Sequence, residues 1–308
     1  MYQLLNYAAD GGAIRNAMAV DEQAFDLARA AKATGQQLPA RGNIDIVLSW
    51  EKSRAALGAI ADAAEAGKLA DAALGPMDGL SLRAPLLYPN TLFMAGSNYG
   101  AHTKEMAGGG YDKSKRKPYF FIKLARQGVI GPGEAIRLPH TSKQVDWEIE
   151  LAAVIGTPAR NVKAKDALKH IAAYTICHDV SLRDIGHRED WPQWSRDWIM
   201  HKSCDTGAPM GPVLVPAEFI PDPHKLSLKT WINDELMQDS NTDDMTFSLN
   251  EQIEFLSGLF TLLPGDVIST GTPSGVGRPR GIFLKPGDMV RMEIGSIGTL
   301  VNPVEAGD

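Results

Sequence analysis

The stretch Val145-Asp-Trp-Glu-Ile-Glu-Leu-Ala-Ala-Val-Ile-Gly156 decides how the chain is read. Ile149, Leu151, Val154 and Ile155 make it apolar and a glycine closes it, so it reads as a strand. Residues two apart on a strand share a face, which sets Glu148 beside Glu150 with Cβ atoms about 7 Å apart. Carboxylates this close repel unless a proton or a cation lies between them. The alternative is the solvated face of an edge strand, where alternating glutamates are ordinary.

Around this stretch lie further short apolar runs between turn signals, at 91–95, 119–124, 172–177, 213–215, 226–232, 267–270, 289–294 and 299–301. Leu226, Leu228, Thr230 and Ile232 alternate with polar or bulky residues, and Asn233-Asp234 then makes a hairpin turn. Ser248 with Glu251 forms a capping box ahead of an apolar helical stripe of Ile253, Leu256, Leu259 and Phe260. The first 80 residues differ in texture. Ala-rich stretches at 24–34 and 49–67 read as helices, with Ser49 as N-cap of the second and a short strand near Phe25 compatible with the first. The turn-rich Leu74-Gly-Pro-Met-Asp-Gly79 marks a boundary between a small N-terminal α+β unit, 1–80, and a larger unit, 81–308. The fold class is mainly β with few helices.

Composition limits the function classes. The 308 residues are 44% apolar and 22% charged, ordinary for a folded chain, and 30 glycines with 19 prolines favour short strands over long helices. A net charge of −6 disfavours nucleic-acid backbones and anionic membrane surfaces as partners. Two cysteines, Cys177 and Cys204, build neither a disulfide framework nor a thiolate zinc site. With no signal-peptide pattern at the start, the expectation is a cytoplasmic protein.

Three segments carry candidate chemistry. An apolar run ends in His178-Asp179, and an acid there is costly unless paired or metal-bound; the alternative is a turn residue paired with Arg183. With Glu148 and Glu150, Asp179 makes an all-oxygen set suited to Mg²⁺, Mn²⁺ or Ca²⁺ rather than zinc. His102 and Glu105, three apart, share a helix face if the chain is helical there, and a carboxylate beside an imidazole builds a general base. Gly108-Gly109-Gly110 reads as a mobile lid. Lys123 and Lys202 suit an anionic substrate or a proton transfer. The loop Thr270-Gly-Thr-Pro-Ser-Gly-Val-Gly277 is not a phosphate-binding P-loop, but its N–H groups and the Thr272 hydroxyl suit a carboxylate or enolate oxygen. Trp191, Trp194 and Trp198 read as buried packing rather than a stacking platform, and His140, His170, His187, His201 and His224 have no ligand spacing and no assigned role.

In order, the motifs Gly96-x-Asn-Tyr-x-x-His102-x-x-Glu105, Phe121-x-Lys123, Asp146-x-Glu148-x-Glu150, His178-Asp179-x-Ser-x-Arg183-Asp184, Lys202-Ser203 and Gly271-Thr-Pro-x-Gly-Val-Gly277 resemble the fumarylacetoacetate hydrolase family. The likeness is to its shorter acylpyruvate-hydrolase-type members and runs from about residue 85 to the end. It implies a mixed β-sandwich roll, commonly a homodimer, with a divalent metal (Mg²⁺ or Mn²⁺) held by Glu148, Glu150 and Asp179. Full-length relatives use a fourth carboxylate before the histidine, but 93–98 contains no acid, so three protein ligands are implied. It also implies His102 and Glu105 as a water-activating pair, Lys202 stabilising charge or moving a proton, and Asn98, Tyr99, Lys123, Arg183, Gly271 and Thr272 as substrate contacts. The implied activity is C–C hydrolysis of a 2,4-dioxo acid to a 2-oxo acid and a carboxylic acid. Isomerisation or decarboxylation of a 2-oxo dicarboxylate on the same site is the neighbouring activity, and a non-catalytic metal-binding module is the reading from another class. Many relatives carry Gln where this chain has Gly186, which puts a substrate contact there in doubt.

Overall fold

The computed structural model describes residues 1–39, 42–108 and 112–307. Gly109 and Gly110 of the expected lid lie outside them; the helix Gly100–Ala107 ends at Gly108 in the left-handed conformation, φ 71°. The chain is mostly β, as expected. Its largest sheet places the Ile149–Ile155 strand between Ile171–His178 and Val267–Ser269, both antiparallel to it. Because the strand is central, both faces are covered. Ile149, Leu151, Ala153 and Ile155 pack into one apolar core, and Ala152 and Val154 into a second core on the other face. Every residue of the strand is buried, which is why the run is apolar throughout instead of alternating.

Beyond Val267–Ser269 the sheet continues through Leu92–Gly96, parallel, and Tyr119–Lys123, antiparallel. In the other direction it runs through Ala208–Pro216 to Tyr2–Ala8 and then Ile14–Val20, Gln23–Asp26 and Ala73–Pro76. The N-terminal strands therefore extend the same sheet across the boundary drawn near residue 80, with Leu4 opposite Leu214. A second sheet orders Glu235–Asn241, Ser227–Ile232, Met289–Ile294, Gly298–Ala306 and Ile136–Leu138. Its hairpin turns at Asn233-Asp234, where Ile232 pairs Glu235 and Asn233 has φ 55°. Leu228, Thr230 and Ile232 are its buried positions, as the alternation requires.

The Ser248 capping box forms as read, with Ser248 Oγ accepting from the Glu251 N–H and the Glu251 carboxylate accepting from the Ser248 N–H. Two expectations need correction. Ser49 precedes the helix Trp50–Glu65 but does not cap it; its hydroxyl donates to the Asp45 carbonyl at 2.8 Å, because the chain arrives from another helix, Asn43–Leu48. The tryptophan stripe is packed only at Trp198, which lies against the core and stacks on Phe121. Trp191 and Trp194 are 54% and 72% exposed, since Pro192–Trp194 is a single 3₁₀ turn and the helix begins only at Trp198.

Candidate active site

Strand register brings the distant acids together. Ile149 lies opposite His178, and the Asp179 N–H donates to the Glu148 carbonyl at 2.9 Å. Asp179 thus leaves its strand beside Glu148, the residue that precedes the central strand. One carboxylate oxygen from each of Glu148, Glu150 and Asp179 lies within 4.8 Å of the others, and all three residues are buried. The solvated edge-strand alternative is overturned. Asp179 does not pair with Arg183 either: its oxygens accept from Lys123 Nζ at 2.7 Å and Lys202 Nζ at 2.6 Å.

The pairing continues past the strand ends, with Val145 opposite Leu182 and Asp146 opposite Ser181. That places Arg183 where Nε donates to Asp146 at 2.8 Å and a terminal N–H to Glu148 at 2.5 Å. Lys202 Nζ also donates to Glu148 at 2.8 Å and to Ser181 Oγ at 2.6 Å. Asp146, Glu148 and Asp179 are thereby matched in charge by Arg183, Lys202 and Lys123, and Glu150 is left over. Burial opposes ionisation of Glu148, but Lys202 and Arg183 outweigh it and hold its carboxyl well below the usual range. Glu150 goes the other way, raised by burial and then by Asp179 and Glu148. A buried, all-oxygen cluster with one uncompensated negative charge fits a hard divalent cation.

The glycine loop grips carboxylates of the protein itself. The Gly271 N–H donates to Glu150 at 3.0 Å, that of Gly275 to both oxygens of Glu105 at 3.1 Å, and that of Gly277 to Asp146 at 2.6 Å. Ser269 Oγ adds a bond to Glu150 at 2.5 Å. At Gly271, φ is 98° and a Cβ would stand 2.8 Å from Asn98 Cβ, so only glycine lets the loop close here. Gln238, from the second sheet, fastens this loop to the central strand: its amide donates to Thr272 Oγ1 at 2.9 Å and its oxygen accepts from the Ile149 N–H at 3.2 Å.

A cavity of about 350 Å³ opens onto the cluster, and Glu148, Asp179, Lys202, Arg183, His102 and Thr272 are among the residues lining it. His102 and Glu105 lie on the helix Gly100–Ala107 with Nδ1 and the carboxylate 3.7 Å apart, and Nδ1 has no closer partner. Burial works to raise the Glu105 carboxyl, and His102 and the Gly275 N–H outweigh it and bring it below its ordinary value.

Lys123, Asn98, Tyr99 and Gly271 are not among the lining residues, and Arg183, which is, has its donors engaged. Lys123 Nζ is spent on Asp179 and the Val180 carbonyl. Asn98 donates to the Phe247 and Thr270 carbonyls and accepts from the Phe247 N–H. Tyr99 is fully buried, Arg183 is tied to Asp146 and Glu148, and the Gly271 N–H is tied to Glu150.

Four residues given no role in the sequence belong to the site. Asp146 joins the glycine loop to Arg183. His201 lines the cavity, 1% exposed, with Nδ1 unpartnered, and burial, then Lys202 and Arg183, push its imidazole down to about 2, keeping it neutral. A Cβ on Gly186 would stand 2.2 Å from His201 Nδ1, so the missing side chain at 186 is what admits this histidine. Arg196 and Arg278 complete the lining. Asp146 stood in the motif that carries the family resemblance, whereas the pairing of Gly186 with His201 shows only in tertiary contact.

The family profile "Fumarylacetoacetate (FAA) hydrolase C-terminal" matches residues 91–305. The chain is 42% identical over 227 residues to the mitochondrial oxaloacetate tautomerase fahd2 of Xenopus laevis, covering 73% of this chain and 68% of that protein. It is 40% identical over 231 residues to human oxaloacetate tautomerase FAHD2B, mitochondrial, covering 74% and 71%. Their mitochondrial designation contrasts with the cytoplasmic setting expected from composition. Among solved structures, maleylpyruvate hydrolase from Sphingobium sp. SYK-6, in complex with manganese(II) and pyruvate, superposes with TM-score 0.76 at 28% identity, covering 99% of this chain and 100% of that one. The 2-hydroxyhepta-2,4-diene-1,7-dioate isomerase of Mycobacterium marinum gives 0.69 at 28% identity, covering 99% of each chain.

Proposed function

The chain belongs to the fumarylacetoacetate hydrolase family, and from that premise we propose that it is a divalent-metal-dependent enzyme that interconverts the keto and enol forms of a 2-oxo acid. The observation that carries the reading is the buried trio Glu148, Glu150 and Asp179, one acid more than its cations match, with Glu148 and Asp179 lining a cavity that also holds an imidazole and an ammonium. Mg²⁺ or Mn²⁺, held by these three carboxylates, supplies a Lewis acid that draws electrons from the 2-oxo group.

The residues of the chain do the rest. The His102 imidazole takes a proton from the carbon next to the oxo group, the electron pair passes through the new C=C bond to the oxo oxygen, and that oxygen takes up a proton to give the enol. Glu105, pinned by the Gly275 N–H, keeps the imidazole in place. Lys202, its ammonium held by Glu148 and Asp179, stabilises negative charge developing on the oxo oxygen. The tautomerase names of the relatives support this reaction class.

A second reading, C–C hydrolysis of a 2,4-dioxo acid, is favoured by the same His102–Glu105 pair. There His102 takes a proton from water, the hydroxide attacks the remote carbonyl, and the C–C bond breaks with its electrons passing to the carbon that is then protonated. The maleylpyruvate hydrolase neighbour supports this reading. One experiment separates them. Purified protein is given oxaloacetate, followed by loss of enol absorbance, and acetylpyruvate, followed by pyruvate release, each with Mn²⁺ and with EDTA. Metal-dependent tautomerisation without pyruvate release is the expected result. Pyruvate release selects the hydrolase, and activity that survives full chelation refutes the metal-dependent reading.

A further inference from the structure

His201 enters the cavity from the short helix Trp198–Lys202 and is held there from several sides. The Asp197 carboxylate caps that helix by accepting from the Met200 N–H at 3.0 Å, and the His201 N–H donates to the Asp197 carbonyl at 3.0 Å. The Asp197 N–H in turn donates to the Gly186 carbonyl at 3.0 Å, which ties the Gly186 backbone to the start of the helix. The imidazole stands edge-on to Trp198, with ring centroids 5.6 Å apart and planes at 86°, and Trp198 stacks on Phe121. Gly186 closes the Nδ1 side, since a Cβ there would stand 2.2 Å from that nitrogen. The ring is therefore fixed in orientation and, at 1% exposure, shut off from bulk water, yet Nδ1 has no hydrogen-bond partner.

The charges around the ring decide which proton it carries. Lys202 follows it in the helix, and Arg183 and Arg196 line the same cavity. Burial and these cations outweigh the opposing pull of Glu148 and keep the imidazole uncharged. An uncharged imidazole has a single N–H, and an N–H buried without an acceptor is less well tolerated than a lone pair in the same position. Nδ1, sealed against Gly186, therefore carries the lone pair, and Nε2 carries the proton. The two imidazoles of the cavity have opposite neighbours: a carboxylate stands 3.7 Å from His102, and cations surround His201. Such a contrast sets two like groups to different tasks.

We propose that His201 is a second catalytic imidazole: its Nε2–H donates a hydrogen bond to the oxo oxygen as that oxygen gains negative charge, while His102 takes the carbon-bound proton. No proton leaves His201 in this step. The bond strengthens as charge builds on its acceptor, so it favours the transition state over the bound 2-oxo acid. The proposal rests on the 2-oxo acid reading above and deepens it by naming a donor that acts beside Lys202 at the oxygen end.

Two measurements test it, one of them free of turnover. In protein carrying ¹⁵N-labelled histidine and loaded with Mg²⁺, the His201→Gln variant assigns the His201 resonances by their loss. Wild type is expected to show an uncharged ring protonated at Nε2, with the Nε2 resonance shifting when oxalate, an unreactive mimic of the planar enolate, is added. A ring protonated at Nδ1, a charged ring, or an Nε2 resonance indifferent to oxalate overturns the proposal. Turnover of oxaloacetate and acetylpyruvate is compared in wild type, in His201→Phe, which keeps a ring without a donor, and in His201→Gln, whose amide restores one. kcat is expected to fall about 10²-fold in His201→Phe with KM within about threefold, and to recover at least about tenfold in His201→Gln. A role in packing alone gives the reverse order, with the smaller loss in His201→Phe, and that order overturns the proposal. If wild type turns over neither acid while the Nε2 resonance responds to oxalate, the functional reading fails and the donor stands. Turnover with an indifferent resonance leaves the functional reading in place and removes His201 from it.

Discussion

The cavity beside the N-terminal strands, about 690 Å³, is nearly twice the size of the one at the carboxylate cluster, about 350 Å³. It is lined in part by Arg15, Arg29 and Lys32, all exposed, and by one buried acid, Asp26. Asp26 is fully served: it accepts from the Tyr7 hydroxyl at 2.9 Å, the Arg29 N–H at 2.9 Å and Arg15 at 3.4 Å. The unpartnered buried atom there is a neutral amide oxygen, Asn43 Oδ1. Two imidazole nitrogens of the smaller cavity lack partners, and behind its Glu148 and Asp179 the buried Glu150 lacks a counter-charge. Volume therefore ranks these regions in the wrong order, because empty space is cheap at a surface. A buried uncompensated charge persists only where something outside the chain completes it.

The contrast is broken most directly at Glu150. Glu150→Gln is expected to abolish Mn²⁺ binding by calorimetry and to lower turnover on the order of 10³-fold, while Arg29→Ala leaves both within about twofold. The same Glu150→Gln change should leave the urea midpoint of the metal-free protein nearly unchanged, because burial and the neighbouring acids favour the protonated Glu150 carboxyl there. A variant that loses stability, or keeps its metal, contradicts the charge argument. His102→Ala comes next, with turnover reduced about 10²- to 10⁴-fold and the Mn²⁺ affinity unchanged. Reduced Mn²⁺ affinity in that variant would make His102 a structural residue.

Two stability measurements sharpen the comparison further. Lys123→Met strips Asp179 of a buried partner and should cost about 3–5 kcal/mol in urea unfolding, against less than about 0.5 kcal/mol for Lys32→Met in the larger cavity. Gly186→Ala drives a methyl group into His201 and should cost about 1–3 kcal/mol. The smallest effect concerns pH. Glu105 has a lowered folded-state pKa, so its contribution is complete above the ordinary carboxylate value and fades as pH falls through the lower folded value. Thermal midpoints of wild type and Glu105→Gln should converge toward the acid end of that window; parallel curves would remove Glu105 from the coupling.

Much of this was legible because it is local or periodic. The apolar runs became strands, the Asn233-Asp234 turn and the Ser248 box formed as read, and the ordered motifs pointed to the family before any coordinates. The substrate-facing assignments were not legible in the same way. Lys123, Asn98 and the Gly271 N–H are chemically able to hold a ligand, and nothing in a one-dimensional string shows that their bonds are already taken by Asp179, Phe247 and Glu150. The exposed Trp191 and Trp194 belong with them, because spacing implies a stripe only where the backbone is helical.

From its sequence alone the chain determined which segments are strands, which acids sit two apart on one of them, and which family it joins; these follow from the backbone periods of two and 3.6 residues and from motif order. Tertiary structure decided which of those groups are free to act. Charge compensation depends on distance through space, and it took the register of Ile149 against His178 to bring Asp179 to Glu148 and leave Glu150 without a counter-charge.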